Sequence, residues 1–529
     1  MNSRRLPRLA QTGLTLVACA ALLTTTGRSQ EAPGAQRWIV SETALPGIDR
    51  GVRSQEAPRD PGARSAPFLA AAATPDGTRA VPGLVAGSVI VKFRSDAETS
   101  AVSSAMRAVA ATSRQRPSFA DFEIVAIPAS ADPEAVAAEL SARPEVEYAQ
   151  ARYVVKAMSR PNDPLYPQQW AFPALDMERV WDIQPGASSE IIVAVLDTGV
   201  AYENRVVQFN ARAWGLFDEN GRLIVAYPAL GLINVPFAFA PELGGTRFVS
   251  PRDFIWDDEQ PYDLDGHGTH VSGTIGQLTN YGVGVAGMAY NVRIMPVKVL
   301  NDIWDFIFGN PTDATDDIVA RGIRYAADNG AKVINMSLGR TGGPAPAVEA
   351  ALRYAVSQGA FVAIASGNNA EEGNGVNRLG DAAPAISGVV VVGAVGRSLT
   401  RAFYSTFNST VELAAPGGDQ RQESFERGGI LQQTLDPDFV HTYFFGPASY
   451  RAPRMDVFNY EYYQGTSMAT PHVSGFAALL MQQGITTPSA VEAAMKQFAR
   501  DLGPAGSDPE YGAGLIQPRT ALRGLGLAR

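Results

Sequence analysis

Cysteine is nearly absent from this chain: the 529 residues include one, Cys19, so no intramolecular disulfide can form. Histidine is also scarce, at four: His267, His270, His441 and His472. His267 and His270 have the three-residue spacing of metal ligands on one helix face, but no glutamate stands between them and no third ligand or catalytic base is evident. A zinc centre is therefore not expected. Positive charge is the minority sign, with 44 Lys and Arg against 53 Asp and Glu and a formal net charge of −9, which argues against a nucleic-acid partner. Beyond the N-terminal 28 residues, no stretch has the length of a membrane-spanning helix without interruption by charge, glycine or proline. What is abundant is apolar residue, at 46%, enough for one large core and a smaller domain.

The N-terminus reads as an address, not as fold. Arg4, Arg5 and Arg8 precede a short, largely apolar run from Leu9 to Thr25, the pattern of a secretory signal peptide over residues 1–28. A second reading stays open, because Leu16-Val17-Ala18-Cys19 resembles a bacterial lipoprotein cleavage box that would anchor the protein through Cys19. Residues 29–86 are rich in Pro, Gly, Ala and Arg and echo one short sequence, at Arg28–Pro33 and Arg53–Pro58; this composition predicts a flexible linker. Order is expected again over residues 87–157. Strands at Ser88–Phe93, Phe122–Ile127 and Val146–Lys156 alternate with helices at Ala97–Ala111 and Asp132–Ala142, the second capped by Asp132 with Pro133 in its first position. A further strand near Arg114–Phe119 would complete a small split βαβ, or ferredoxin-like, α+β domain.

From residue 163 to 529 buried strands alternate with helices, which implies a mostly parallel sheet covered on both faces. Three segments in this region carry chemistry. Ile191–Leu196 is an unbroken apolar run that ends in Asp197-Thr198-Gly199, placing a carboxylate at the carboxyl end of a buried strand. Asp265-Gly266-His267-Gly268-Thr269-His270 starts a tightly packed helix. Gly465-Thr466-Ser467-Met468-Ala469-Thr470-Pro471-His472 puts a hydroxyl at a helix N-terminus, where free N–H groups favour developing negative charge; Pro471 is expected in the first turn. Ser467, His267 and Asp197 can form, in that order, a nucleophile, a base and the carboxylate that orients the base. Asp265, two residues before the histidine, is read as a hydrogen-bonded or solvated carboxylate, with attraction of a cationic substrate residue as the alternative. His270 and His472 are read as structural.

These three blocks, in this order, resemble the subtilisin-like serine proteases (subtilases) over roughly residues 160–520. The resemblance implies an α/β fold with a mostly parallel sheet and helices on both faces, and a secreted serine endopeptidase working through Asp197, His267 and Ser467. It implies an oxyanion donor at Asn368, in Ser366-Gly367-Asn368-Asn369 after the strand Phe361–Ala365. It also implies substrate binding along Ser337, Leu338 and Gly339 and at Ser366 and Gly367, with a roomy, uncharged pocket. Residues 87–157 resemble the subtilase propeptide, which would be an intramolecular inhibitor, so the expected partners are polypeptide substrates and the chain's own propeptide. No cofactor is required for the chemistry. Calcium is the one ion the resemblance implies, as a structural ion at Thr279–Gly287, although Tyr281 stands where an amide ligand is common. The spans 202–259 and 417–463 look like insertions and are expected to be surface loops, with Tyr443, Phe444 and Phe445 as candidates to touch substrate. An inactive scaffold that binds peptides, or a tethered lipoprotein, would be the alternatives.

Overall fold

The computed structural model describes residues 37–39, 84–153, 160–217, 222–244, 247–422 and 427–525. The expected signal peptide, Cys19 and most of the expected linker lie outside the described residues. Within the linker span, however, Arg37–Ile39 is a strand paired antiparallel with Trp214–Phe217. The chain divides into two compact units: among the described residues the larger comprises 37–39 and 160–521, and the smaller 84–153 and 522–525.

The smaller unit contains a four-stranded antiparallel sheet in the order Ser113–Gln115, Glu123–Ala126, Leu84–Phe93, Val146–Tyr153. Helices Thr99–Ala108 and Pro133–Ser141 complete the expected α+β pattern, and the strand expected near Arg114 is present. The first strand begins at Leu84, within the span read as linker. Asp132 accepts a hydrogen bond from Glu134 N at 3.0 Å, as its capping position requires. Val89, Val91, Val125 and Val146 from the sheet meet Ala105, Ala137 and Leu140 from the helices in one core.

The larger unit is built on a seven-stranded sheet, parallel throughout, in the order Arg252–Asp253, Arg293–Lys298, Ile192–Asp197, Val333–Met336, Phe361–Ala365, Val389–Val395, Val411–Pro416. The inner strands are buried from end to end because both faces are covered: Val389–Val395 has no exposed position. One cover is the helix pair Asp316–Asp328 and Pro346–Ser357, whose Ile318, Val319, Ile323, Val348 and Leu352 pack on Leu196, Val297, Ile334 and Val362. The helix Thr466–Gln482 packs on four of the strands and on the helix His267–Gly276, and its residues Thr466–Met481 are all buried. Chain order reverses between the neighbouring strands Ile192–Asp197 and Val333–Met336, and such a reversal opens a crevice at the strands' carboxyl ends.

The insertions are not surface loops. Arg205–Ala211 pairs with Gly231–Phe237, Trp214–Phe217 with Leu223–Tyr227, and Ile430–Leu435 with Phe458–Tyr463. Their aromatic residues explain the difference, since they bury a second core. Trp214 stacks on Tyr227 at 4.2 Å between centroids, and Trp304, Tyr443 and Tyr450 close around them. Tyr443 is therefore a core residue, 2% exposed, while Phe444 and Phe445 remain about half exposed.

Candidate active site

Asp197 ends its strand fully buried, and its Oδ1 accepts from Thr198 N at 2.8 Å. The same oxygen lies 2.6 Å from His267 Nδ1. His267 is the first residue of its helix, and Gly268 explains how the helix comes so near: a Cβ there would lie 2.0 Å from Gly199 O and 3.1 Å from Asp197 Cβ. The turn into this helix is held by Asp263, which sequence reasoning passed over. Its Oδ1 accepts from Thr198 Oγ1, Asp265 N and Gly266 N, and its Oδ2 from Thr269 N and Oγ1. Only the crowding of acids in Asp263-Leu264-Asp265 signals it in the sequence. A second residue passed over is Lys298, fully buried, which donates to Thr198 O at 2.8 Å and pairs with Asp305 at 3.1 Å.

The electrostatics follow from this crowding of carboxylates. Burial alone would push the His267 imidazole down, but the charge and hydrogen bond of Asp197, with Asp265 and Asp263 behind it, outweigh burial and raise its pKa to about 9. Burial, reinforced by Asp263, lifts Asp265 to about 6. Asp265 Oδ1 accepts from His267 N at 3.0 Å, so it belongs to the hydrogen-bonded reading of that residue. His441, brought in by the second insertion, lies 3.9 Å from Asp265 Oδ2. His270 and His472 are driven down by burial, to about 3 and about 4, and stay neutral. Each has one ring nitrogen on a backbone carbonyl, Ile430 O and Met468 O respectively.

Ser467 is the second residue of its helix, in the first turn, where amides have no intrahelical acceptor. Its Oγ donates to Ser337 O at 3.2 Å. Pro471 lies deeper in this helix than the sequence suggested, in its interior. The consequence falls on Ser467: a proline has no N–H to give to the carbonyl four residues back. Ser337 Oγ supplies the missing donor, reaching Ser467 O at 2.7 Å. Asn335 Nδ2 donates to Ser337 Oγ, and Ser474 Oγ returns to Asn335 Oδ1, so a buried polar chain ties the helix to the strand Val333–Met336.

Asn368 Oδ1 accepts from Thr466 N at 2.9 Å and Thr466 Oγ1 at 3.0 Å. Because both groups donate, the amide orientation is fixed and its NH₂ is the group left to face the cleft. That cleft has a volume of about 100 Å³ and is bounded by Leu338, Gly339, Gly367, Asn368 and Ser467, among others. Ser337 and Ser366 do not line it with their side chains: both are buried, and Ser366 Oγ turns to Thr406 O at 3.0 Å. Nor is the cleft wall free of charge, since Arg340 stands in it, paired with Asp316.

Known proteins resemble this chain in both of its parts. The subtilase family profile matches residues 188–514, and the fervidolysin N-terminal prodomain profile matches residues 71–151. The chain belongs to the subtilase family. It is 30% identical to a thermophilic serine proteinase of Bacillus sp. (strain AK1) over 84% of this chain and 93% of that one. It is also 30% identical to an extracellular protease of Xanthomonas campestris pv. campestris, over 71% of this chain and 59% of that one. Among solved structures, a protease from Pseudoalteromonas arctica superposes with a TM-score of 0.50 at 28% identity, covering 69% of this chain and 99% of that one. This subtilase is accordingly a serine protease with an N-terminal prodomain, and its chemistry needs no cofactor.

Calcium does not fit the loop Thr279–Gly287. A calcium loop turns oxygens toward the ion; here three of the loop's carbonyls already accept hydrogen bonds from the protein. Gly284 O accepts from Leu165 N, Ala286 O from Gln169 and Gln432, and Gly287 O from Thr279 Oγ1. The loop amides point at carboxylates instead: Asn280 N, Tyr281 N and Gly282 N donate to Asp163, and Val285 N to Glu242. Glu242 is itself surrounded by donors, from Gln277, Gln433 and Tyr460. Among the described residues, no group of three or more acidic, His or Cys side chains could hold a metal.

Proposed function

We propose that this subtilase is an exported, self-processing endopeptidase in which Ser467 is the nucleophile, His267 the general base and Asp197 the group that orients the imidazole. The observation that carries this reading is the buried 2.6 Å contact between Asp197 Oδ1 and His267 Nδ1. It fixes the tautomer with the proton on Nδ1 and leaves Nε2 to receive the proton of Ser467. For reaction Ser467 turns from the Ser337 carbonyl to that nitrogen. Its Oγ adds to the scissile carbonyl as the proton passes to Nε2. The carbonyl oxygen becomes negative and is met by Asn368 Nδ2 and the first-turn amide of Ser467. Collapse of this intermediate breaks the C–N bond, and His267 gives its proton to the departing amine. Water then repeats the sequence on the acyl-enzyme and frees Ser467.

The prodomain match supports a precursor that cuts itself between Lys156 and Leu165; Lys156 lies outside the described residues, and the part from Arg160 is proline-rich coil. The basic, apolar N-terminus and the extracellular relative support export. Labelling with a fluorophosphonate tests the nucleophile: wild-type protein should label at Ser467 and Ser467→Ala should neither label nor hydrolyse peptides. In subtilisin the loss on removing the nucleophile is about 2 × 10⁶ in kcat. Turnover of Ser467→Ala within tenfold of wild type would refute the assignment.

A further inference from the structure

We propose that Asn377 sets the width of the specificity pocket beside Ser467, and that Arg340 and Arg378 hold the pocket's outer wall. The pocket lies between two parallel strands that pair as far as Met336 and Ile364 and then separate, one continuing through Leu338 and Gly339, the other through Ala365 and Gly367. The Asn377 side chain fills the gap they leave. Its Nδ2 donates to Leu338 O at 3.1 Å and to Ala365 O at 2.7 Å, one carbonyl from each wall. Its Oδ1 accepts from Arg340 N and Leu379 N, both at 3.1 Å. A primary amide offers two donors and two acceptor sites, so this one is fully used. It is also 5% exposed, and no other orientation would satisfy two carbonyls and two amides.

Gly339 is shaped to the same side chain. A Cβ on it would lie 2.3 Å from Asn377 Nδ2 and 2.5 Å from its Cγ. The glycine on one wall and the asparagine behind it are thus complementary: either one, changed alone, moves the wall.

The outer wall is the segment Thr341–Pro344, which meets the pocket at Thr341, is exposed and belongs to no strand. All four of its carbonyls are held by arginine. Arg340 Nη1 donates to Thr341 O at 3.0 Å and Gly343 O at 2.7 Å, and its Nη2 reaches Pro344 O at 3.4 Å. Arg378 Nε takes Gly342 O at 2.9 Å. Asp316 holds Arg340 through Nε at 2.7 Å, and Asp381 holds Arg378 at 3.1 Å. With its charge paired and its N–H groups spent on the wall, Arg340 offers no free cation to a substrate, and Asn377 offers no free hydrogen bond. The pocket therefore selects the side chain preceding the scissile bond by volume and favours uncharged residues. Asn377, Arg340 and Arg378 are positioning residues; they act through the walls.

This inference rests on the catalytic reading above, which is tested separately by Ser467→Ala. The experiment measures kcat and KM of the mature enzyme on peptides that differ only in that side chain, from alanine through leucine to phenylalanine, alanine and leucine differing mainly in hydrophobic volume. Asn377→Ala should change the phenylalanine-to-alanine ratio of kcat/KM by about tenfold or more, the scale at which a pocket reads volume, while kcat on the best peptide stays within a few-fold. Gly339→Ala should depress cleavage in the wild-type background and regain it with Asn377→Ala, because the second change removes the atom the new Cβ meets. Arg340→Lys keeps the charge but loses the fork, and should raise KM with little change in kcat even if the Asn377 variant is too unstable to assay. An unchanged ratio in active Asn377→Ala, no rescue of Gly339→Ala, or an unchanged KM in Arg340→Lys would each overturn the proposal. Failure of the wild-type enzyme to depend on Ser467 would instead sink the catalytic reading.

Discussion

Activity and stability of this enzyme should move in opposite directions across the same pH window, because both follow the proton on His267. Its pKa is raised to about 9, against an ordinary 6.5, by Asp197 in contact and by Asp265 and Asp263 behind it, in spite of burial. The proposed mechanism needs the neutral imidazole, so kcat/KM of the free enzyme should rise with pH through a limb centred well above 6.5 and up to about 9. A group whose folded pKa exceeds its unfolded value stabilises the fold fully below the unfolded value, and that stabilisation is lost as pH rises through the folded value. Here the window runs from 6.5 to about 9, and at 1.36 kcal/mol per pH unit the loss is roughly 3 kcal/mol. The rate limb is read on a short chromogenic peptide from pH 5 to 11. Stability is read by urea unfolding of Ser467→Ala, which cannot digest itself, at pH 6 and pH 9.5. Asp197→Asn removes the largest favourable contribution and leaves burial less opposed, so its residual activity should show the limb displaced downward, and its stability should depend less on pH between 6 and 9.5. A wild-type limb at or below pH 6.5, or one that Asp197→Asn leaves in place, would refute the reasoning.

Three further outcomes are expected. Asn368→Ala should lower kcat far more than it raises KM, by about 10²–10³, the loss known for the corresponding kind of donor in subtilisin; an effect confined to KM would make Asn368 a turn former only. Chelation should leave the thermal midpoint of the mature enzyme unchanged, whereas Glu242→Ala, which leaves donors from Gln277, Gln433 and Val285 buried without an acceptor, should cost more than about 3 kcal/mol; a midpoint lowered by chelation in wild type but not in Glu242→Gln would place an ion at this loop. N-terminal sequencing of purified wild-type protein should find a start between residues 157 and 165, and Ser467→Ala precursor should stay uncut; a start near Ser88 would mean that residues 87–157 are not a propeptide.

The parts of the site that were legible in the sequence are those fixed by local constraint. Asp197 ends an apolar run that only a buried parallel strand explains, and Gly268 is needed where a helix packs against that strand, so both announce themselves within a few residues. Asp132 and Pro133 likewise mark a helix start by chemistry that is complete within the first turn. What was not legible depends on residues far apart in the chain. Asn377 looks like an ordinary turn residue; its role appears only when Leu338 and Ala365, 39 and 12 positions away, are brought to its two N–H groups. The insertions were misread for the same reason. Their alternation is irregular, but Trp214, Tyr227 and Tyr443 supply enough apolar surface to bury a core once chain segments more than 200 positions apart are joined.

Pro471 shows how a break in a local rule becomes intelligible at the next level. Inside a helix a proline costs a hydrogen bond, and the helix Thr466–Gln482 is buried along nearly its whole length, so water cannot make up the loss. The orphaned acceptor is the carbonyl of Ser467, and the donor that satisfies it, Ser337 Oγ, comes from the neighbouring strand's continuation into the cleft. A residue able to complete the helix by itself would leave Ser337 without that partner, and the helix free to shift relative to the strand. With proline at 471 the backbone of the proposed nucleophile is bonded to the wall along which substrate is expected to lie, and Asn335 and Ser474 close the connection from behind. The local cost in helix stability thereby becomes a fixed distance between Ser467 and the cleft wall, which is the quantity that an attack over about 3 Å depends on.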